Sequence, residues 1–247
     1  MLAFPSTKFF LISSVIFGAG IVRGATGFGF SLIMMVFLTI FYPPATIVPI
    51  LLLWDVVASC LHLPFLWRDV DWKSMRWLGL GAVTGTPIGV YLLTSIPVQP
   101  MCFTVNALVL IMAFLLFLGK RPKKTPGPVS AVGVELTTGI INGAAAASGP
   151  PVLLFYAVDH DSASTRASFI AFFLVIDLFG FILMLHNGLM TAESLSFSVV
   201  LSIPMFSGMV VGHKLAASIP DAKLRKLVIL LLIMLAFSGT IRSWFEL

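Results

Sequence analysis

The sequence predicts an all-α polytopic membrane protein built from two inverted repeats of about five helical segments each, with broken or re-entrant half-helices near the bilayer midplane. Three observations carry this. Hydrophobic residues make up 59% of the 247, charged residues only 10%, and the mean hydropathy is +1.07, too little polar surface for a water-soluble domain. Runs such as LVLIMAFLLFLG (108–119) are continuously apolar, where a membrane β-barrel would alternate. The two halves also echo each other in order.

Ten apolar segments follow along the chain: A 8–22, B 28–41, C 44–66, D 74–95, E 98–118, F 129–141, G 150–158, H 165–186, I 192–215 and J 222–243. Between E and F lies GKRPKKTPGP (119–128), with four basic residues and three prolines. It divides the chain into a first transmembrane repeat (1–118), a basic cytoplasmic linker (119–128) and a second repeat (129–247). GIVRG at 20–24 returns as GIING at 139–143, an offset of 119. Asp55, closing LLLWD, returns as Asp177 in FLVID, an offset of 122. Gly85, Gly89, Leu92 and Ser95-Ile96-Pro97 return at an offset of 123 as Gly208, Gly212, Leu215 and Ser218-Ile219-Pro220. GAG at 18–20 offers the small residues of a signal-cleavage site, but its echo at 139 places segment A inside the repeat.

Each half crosses an odd number of times, five, or three if its first two segments form a re-entrant hairpin; either way the halves are inverted. One side then collects twelve basic residues, against Lys8 and Arg242 on the other, with Arg23 left unassigned. The loaded side is cytoplasmic by the positive-inside rule, and both termini face outward. The same rule accounts for the net charge of +5 without nucleic acid. Cys60 and Cys102 fall inside apolar segments and read as packing residues, and no metal-ligand spacing links His62, His160 or His186.

The chemistry concentrates at two interruptions. IVRGATGFGF (21–30) puts an arginine and three glycines into an apolar run, and an intramembrane charge costs on the order of 2.5–3.5 kcal/mol by insertion scales. Segments F and G, at ~20 and ~14 Å of helix, fall short of a hydrocarbon core of ~30 Å and read as half-helices. Paired interruptions at corresponding places in two halves point to a transporter's binding site. SGPPV at 148–152 suits a helix start, and TGFGF at 26–30 lets the backbone bend with amides free. Each would aim a helix N-terminus at the break, where anions bind. Arg23 adds a bidentate fork suited to an oxyanion. The expected substrate contacts are Arg23, Gly24, Thr26, Gly27, Phe28, Gly29, Asn142, Gly143, Ser148, Gly149 and Pro150. Asp55 and Asp177, central in segments C and H, are expected to hold this framework in place or to carry a coupling ion. The bland alternatives are that the glycines pack helices, that Thr26, Asn142 and Ser148 cap or bridge them, and that Arg23 snorkels from a spanning segment A.

GIVRGATGFGFSLIMM (20–35) with GIINGAAAASGPPVLLFY (139–156), one in each half, resembles the sulfite exporter TauE/SafE family, also called the toluene sulfonate uptake permease family. The resemblance covers essentially the whole chain and departs from the family's glycine-rich pattern at Ala144–Ala147. It implies a bacterial inner-membrane secondary carrier that moves sulfite, sulfonates or related organic anions, often outward, and not an enzyme. No cofactor is expected. The expected partners are a small anionic substrate, the lipid bilayer, a coupling proton or sodium ion, and a second copy as a homodimer. Two rivals are a carrier or channel for another small anion or for a cation held by the aspartates, and a membrane-embedded aspartyl protease. The protease is the weaker, because LLWDVV and VIDLFG lack a glycine-aspartate motif and duplication alone explains their matching places.

The charge count makes a first prediction. A reporter active only in the cytoplasm, fused after Leu247, should stay silent; a bright signal would reverse the topology.

Overall fold

The computed structural model describes residues 6–118, 128–149, 162–216 and 221–245. Segment G with Pro150, most of the basic linker, and the loop carrying His160 lie outside the described residues. Every described element is helical: α1 Ser6–Thr26, α2 Phe30–Leu38, α3 Pro44–Leu66 followed by a 3-10 turn Trp67–Asp69, α4 Trp72–Ser95, α5 Val98–Leu118, α6 Pro128–Ala145, α7 Ser162–His186, α8 Ala192–Ala216 and α9 Asp221–Phe245. Among the described residues five stretches are long and apolar enough to cross a membrane, Lys8–Thr26, Pro44–Asp69, Val98–Leu115, Ala167–His186 and Ala192–Leu215. The chain is a multi-pass membrane protein of helical type.

Two lengths differ from the sequence reading. Segment F is longer than read: α6 runs 18 residues, ~27 Å, because Gly139 and Gly143 pack closely on α4 and carry the helix through Asn142 to Ala145. The short element of the first half is instead segment B, whose α2 has nine residues, all buried. A helix apolar on every side has no face to offer water or a partner surface, so it is enclosed by the others.

The strongest packing is α1 on α8, α4 on α6, α3 on α7 and α5 on α9, and each pairing joins the two halves. Small residues let two of these pairs come together closely. Gly20 and Gly24 of α1 lie against the carbonyls of Met205 and Met209, while Gly208 and Gly212 of α8 lie against those of Phe17 and Ile21. The same device recurs where Gly85 and Gly89 of α4 meet Leu136 and Ile140, and Gly139 and Gly143 of α6 meet Ala82 and Thr86. In both pairs the helices run in the same sense. The α3–α7 pair is antiparallel, with Leu52 facing Gly180 near one end and Leu63 clustered with Ala167 and Phe172 toward the other.

These contacts fix the path of the first half. Tyr42, just before α3, meets Phe197 early in α8 edge to face, and α8 runs alongside α1 in the same sense. Arg23, near the end of α1, reaches Asp55 at the middle of α3. Thus α1 and α3 start from the same end of the molecule, and α2 turns back between them. Segments A and B form a helical hairpin, with α1 itself long and apolar enough to cross a membrane.

Cys102 is half-buried, but Cys60 is exposed on α3 and is not the packing residue its apolar surroundings implied; an apolar stretch inside a membrane has a lipid-facing side as well as a core side.

A substitution test follows from the close approach. A Cβ at Gly212 would collide with the backbone of Ile21, whereas one at Gly133 meets nothing. Gly212→Ala should lower the unfolding temperature of the purified protein in detergent, with a loss of roughly 1–3 kcal/mol or more, while Gly133→Ala leaves it unchanged. Equal behaviour of the two variants would contradict this packing.

Candidate functional site

The first break begins where α1 stops. Gly27 takes a left-handed conformation at φ 82, its N–H caps the Arg23 carbonyl at 2.7 Å, and Gly29 at φ 91 then starts α2. Both positions need glycine, since an L side chain collides with its own backbone there. Thr26 spends its hydroxyl on the turn, donating to the Val22 carbonyl and accepting from the Phe28 amide. The second break is made the same way: α6 ends, Ala146 takes φ 50, and its N–H caps the Asn142 carbonyl at 2.8 Å. Gly27 and Ala146 are 119 residues apart, the offset of the GIVRG and GIING repeat. Ala146 therefore holds, at a cost of about 1–2 kcal/mol, a conformation that glycine holds freely in the first half.

Arg23 sits one turn before its break, 5% exposed. Nη1 pairs with Asp55 Oδ1 at 2.5 Å, and Nη2 donates to Ser59 Oγ at 3.1 Å and to the Asp55 carbonyl at 3.3 Å. It is no snorkelling anchor. The other carboxylate oxygen of Asp55 accepts from Ser31 Oγ, in the first turn of α2. The amides of that turn have no carbonyl a turn earlier to bond, so the helix end is electropositive. In this conformation Asp55 is the anion that pairs with Arg23 and accepts the hydroxyl hydrogen bond of Ser31 at the start of α2.

The second half repeats the plan with one charge changed. Asn142 stands where Arg23 stands in the first, and presents its amide to the Asp177 carboxyl; neither of its amide atoms closes a hydrogen bond of good geometry. Asp177 is 2% exposed and Oδ1 has no hydrogen-bond partner. Arg23, Ser31, Asp55 and Asp177 border one small cavity of about 20 Å³, lined also by Phe28, Gly29, Leu32, Ala146, Ser148, Gly149 and Phe173. That space holds one water molecule, so an oxyanion enters only when the surrounding helices move apart.

Of the expected contacts, Arg23, Phe28, Gly29, Ser148 and Gly149 line the cavity, and both aspartates join them. Gly27 and Thr26 build the turn beneath it. Asn142 lies behind Asp177, and Pro150 lies outside the described residues. Gly24 and Gly143 are placed elsewhere: their missing side chains make room for Met209 of α8 and Thr86 of α4, because a helical glycine one residue from a lining position faces a different neighbour. Ser31, Ser59 and Phe173 were not anticipated. Ser59 was within reach, being four residues from Asp55 and so on the same helix face; Ser31 and Phe173 became site residues only through tertiary packing. Glu135, fully buried on α6, was also passed over, two helical turns before Asn142. A second, open pocket of about 880 Å³ is lined by Cys60, Leu63, Pro64, Phe65, Trp67, Arg68, Asp69 and Leu174. Among the described residues no group of His, Cys, Asp and Glu could hold a metal ion.

No curated protein and no solved structure matches the chain. The family model described as Sulfite exporter TauE/SafE matches residues 12–238, a span that takes in both breaks and both aspartates. The chain belongs to the sulfite exporter TauE/SafE family, a family of membrane transporters.

Proposed function

We propose that this protein is a secondary carrier of a small sulfur oxyanion or organic sulfonate, exporting it across the inner membrane from a site between the two breaks. The observation that carries the proposal is that Arg23 and the electropositive first turn of α2 border the same buried cavity. A guanidinium and free helix amides converging on enclosed space are complementary to an oxyanion. The substrate would take over part of the Arg23 fork and the Ser31 hydroxyl that Asp55 now holds, and would meet the first turn of α2, with Ser148 as a further donor.

The duplicated architecture supports alternating access. The parallel pairs α1–α8 and α4–α6 correspond to each other when the halves are exchanged, and α3 crosses its own counterpart α7 in the opposite sense. Two inverted repeats (1–118 and 129–247) produce that pattern, and rocking one half against the other would open the site to each side in turn. A protease reading gains little: Asp55 is held in an ion pair by Arg23, whereas an aspartyl dyad needs two carboxyls sharing a proton.

The test must separate binding from folding. Arg23→Gln alone leaves Asp55 buried without its cation, a loss of ~3–5 kcal/mol in stability. The double variant Arg23→Gln/Asp55→Asn removes both charges. It should fold like the wild type yet bind sulfite far more weakly, by the ~2–5 kcal/mol that truncating a desolvated charge pair costs, as read by calorimetry on purified protein. Arg23→Lys should recover part of the affinity, since it keeps the charge and loses the fork. Equal affinity in wild type and double variant would remove Arg23 from the site.

A further inference from the structure

We infer that Asp177 binds the proton that accompanies the substrate, so that anion and proton occupy the cavity together and cross in the same direction. This rests on the anion-carrier reading above and assigns its coupling ion.

The inference starts from charge counting in an enclosed space. Three ionisable side chains border the cavity: Arg23, Asp55 and Asp177. Arg23 and Asp55 neutralise each other across 2.5 Å. Asp177 has no such partner. The charged groups that act on it are Asp55 from α3 and Arg23 from α1, already paired together. From α6 it meets the neutral Asn142, with Glu135 seven residues earlier, ~10 Å along that helix. At its level α4 presents Thr86 beside Asn142 and Gly180, and the 3-10 turn with Arg68 and Asp69 packs on α7 about two and a half turns away, where Asp71 bonds Ser168. With Asp177 ionised the cavity carries one net negative charge, and a buried anion is repelled. With Asp177 protonated the cavity is neutral.

Protonation also changes what the group can do. An ionised carboxylate only accepts hydrogen bonds; a carboxylic acid donates one, and Oδ1 of Asp177, buried and without a hydrogen-bond partner, is free to do so toward an oxyanion. Taking up a proton from water on one side turns a repelling acceptor into a donor, and releasing it on the other side expels the anion. Because each ligand strengthens the other's binding by the same factor, the coupling is a symport rather than an exchange, and export then runs on the substrate's own outward gradient, with the proton leaving beside it. The replacement of the first half's arginine by Asn142 is what leaves this second aspartate without a cation, so the asymmetry between the repeats is the coupling device.

The probe is methanesulfonate, whose charge is fixed across the accessible pH range, so that only the protein titrates. Calorimetry on the purified full chain between pH 5 and 9 should show affinity falling as pH rises, by up to about tenfold per unit for one obligatory proton. Asp177→Asn, which mimics the protonated acid, should bind with the wild type's low-pH affinity at every pH; a wild-type pH profile retained in this variant would overturn the inference. Should the variant fail to fold, wild-type liposomes enclosing a pH-sensitive dye decide: an inward methanesulfonate gradient should acidify the lumen at clamped potential. No pH change, or alkalinisation, overturns the symport while leaving the carrier reading intact. If the wild type binds neither methanesulfonate nor sulfite at any pH, the carrier reading itself falls and this inference with it.

Discussion

The ion pair between Arg23 and Asp55 is the constraint on which the rest of this molecule depends. A lone guanidinium or carboxylate in the membrane interior is too costly to keep. Here the two lie 2.5 Å apart, with Ser59 and Ser31 filling the remaining positions. To meet Asp55 at the middle of α3, the end of α1 must stop inside the protein rather than emerge from it. That requirement explains the left-handed cap at Gly27 and the return of the chain through α2. It also explains why α2 is buried on every side: the element that brings its N-terminus to the ion pair has to be surrounded by the helices that carry it. Fold and site are one problem, solved by one pair of charges.

The second half shows what duplication keeps and what it releases. The helix break is retained, now made with Ala146 in a strained conformation, and so are the two glycine-lined contacts that hold α6 on α4. The charge is not. Asn142 replaces the guanidinium, and Asp177 remains as a buried carboxyl without its own cation. Identical halves would place two arginines and two aspartates around the cavity and leave it balanced and inert. With Asn142 in place of a second arginine the site has two carboxyls and one guanidinium, the imbalance on which the proposed proton coupling rests.

Much of this was legible in the residues. Composition and continuous apolar runs give the helical membrane class, and the family follows from GIVRGATGFGF and GIINGAAAASGPP. Offsets of 119 and 122 pair Arg23 with Asn142 and Asp55 with Asp177 as equivalent places in the two halves. Other features were hidden for physical reasons. Whether glycine faces a ligand or a neighbouring helix depends on rotation by a single residue, so Gly24 and Gly143 read as site glycines and turned out to seat α8 and α4. The length of α6 is hidden because hydropathy and helix propensity both fall at Asn142-Gly143, while close packing on α4 keeps the helix going to Ala145. Ser31 reaches Asp55 only because α2 folds back, and no local pattern in the sequence announces that return.

The most direct test is to see the anion. Selenite has the charge and shape of sulfite and scatters anomalously at the selenium edge, so a crystal structure of the protein grown with it would locate the ligand independently of mutation. One selenium peak is expected between the Arg23 guanidinium, the first turn of α2 and Asp177. A peak instead in the open pocket beside Arg68 and Trp67, with the Arg23 cavity still closed around its ion pair, would contradict it.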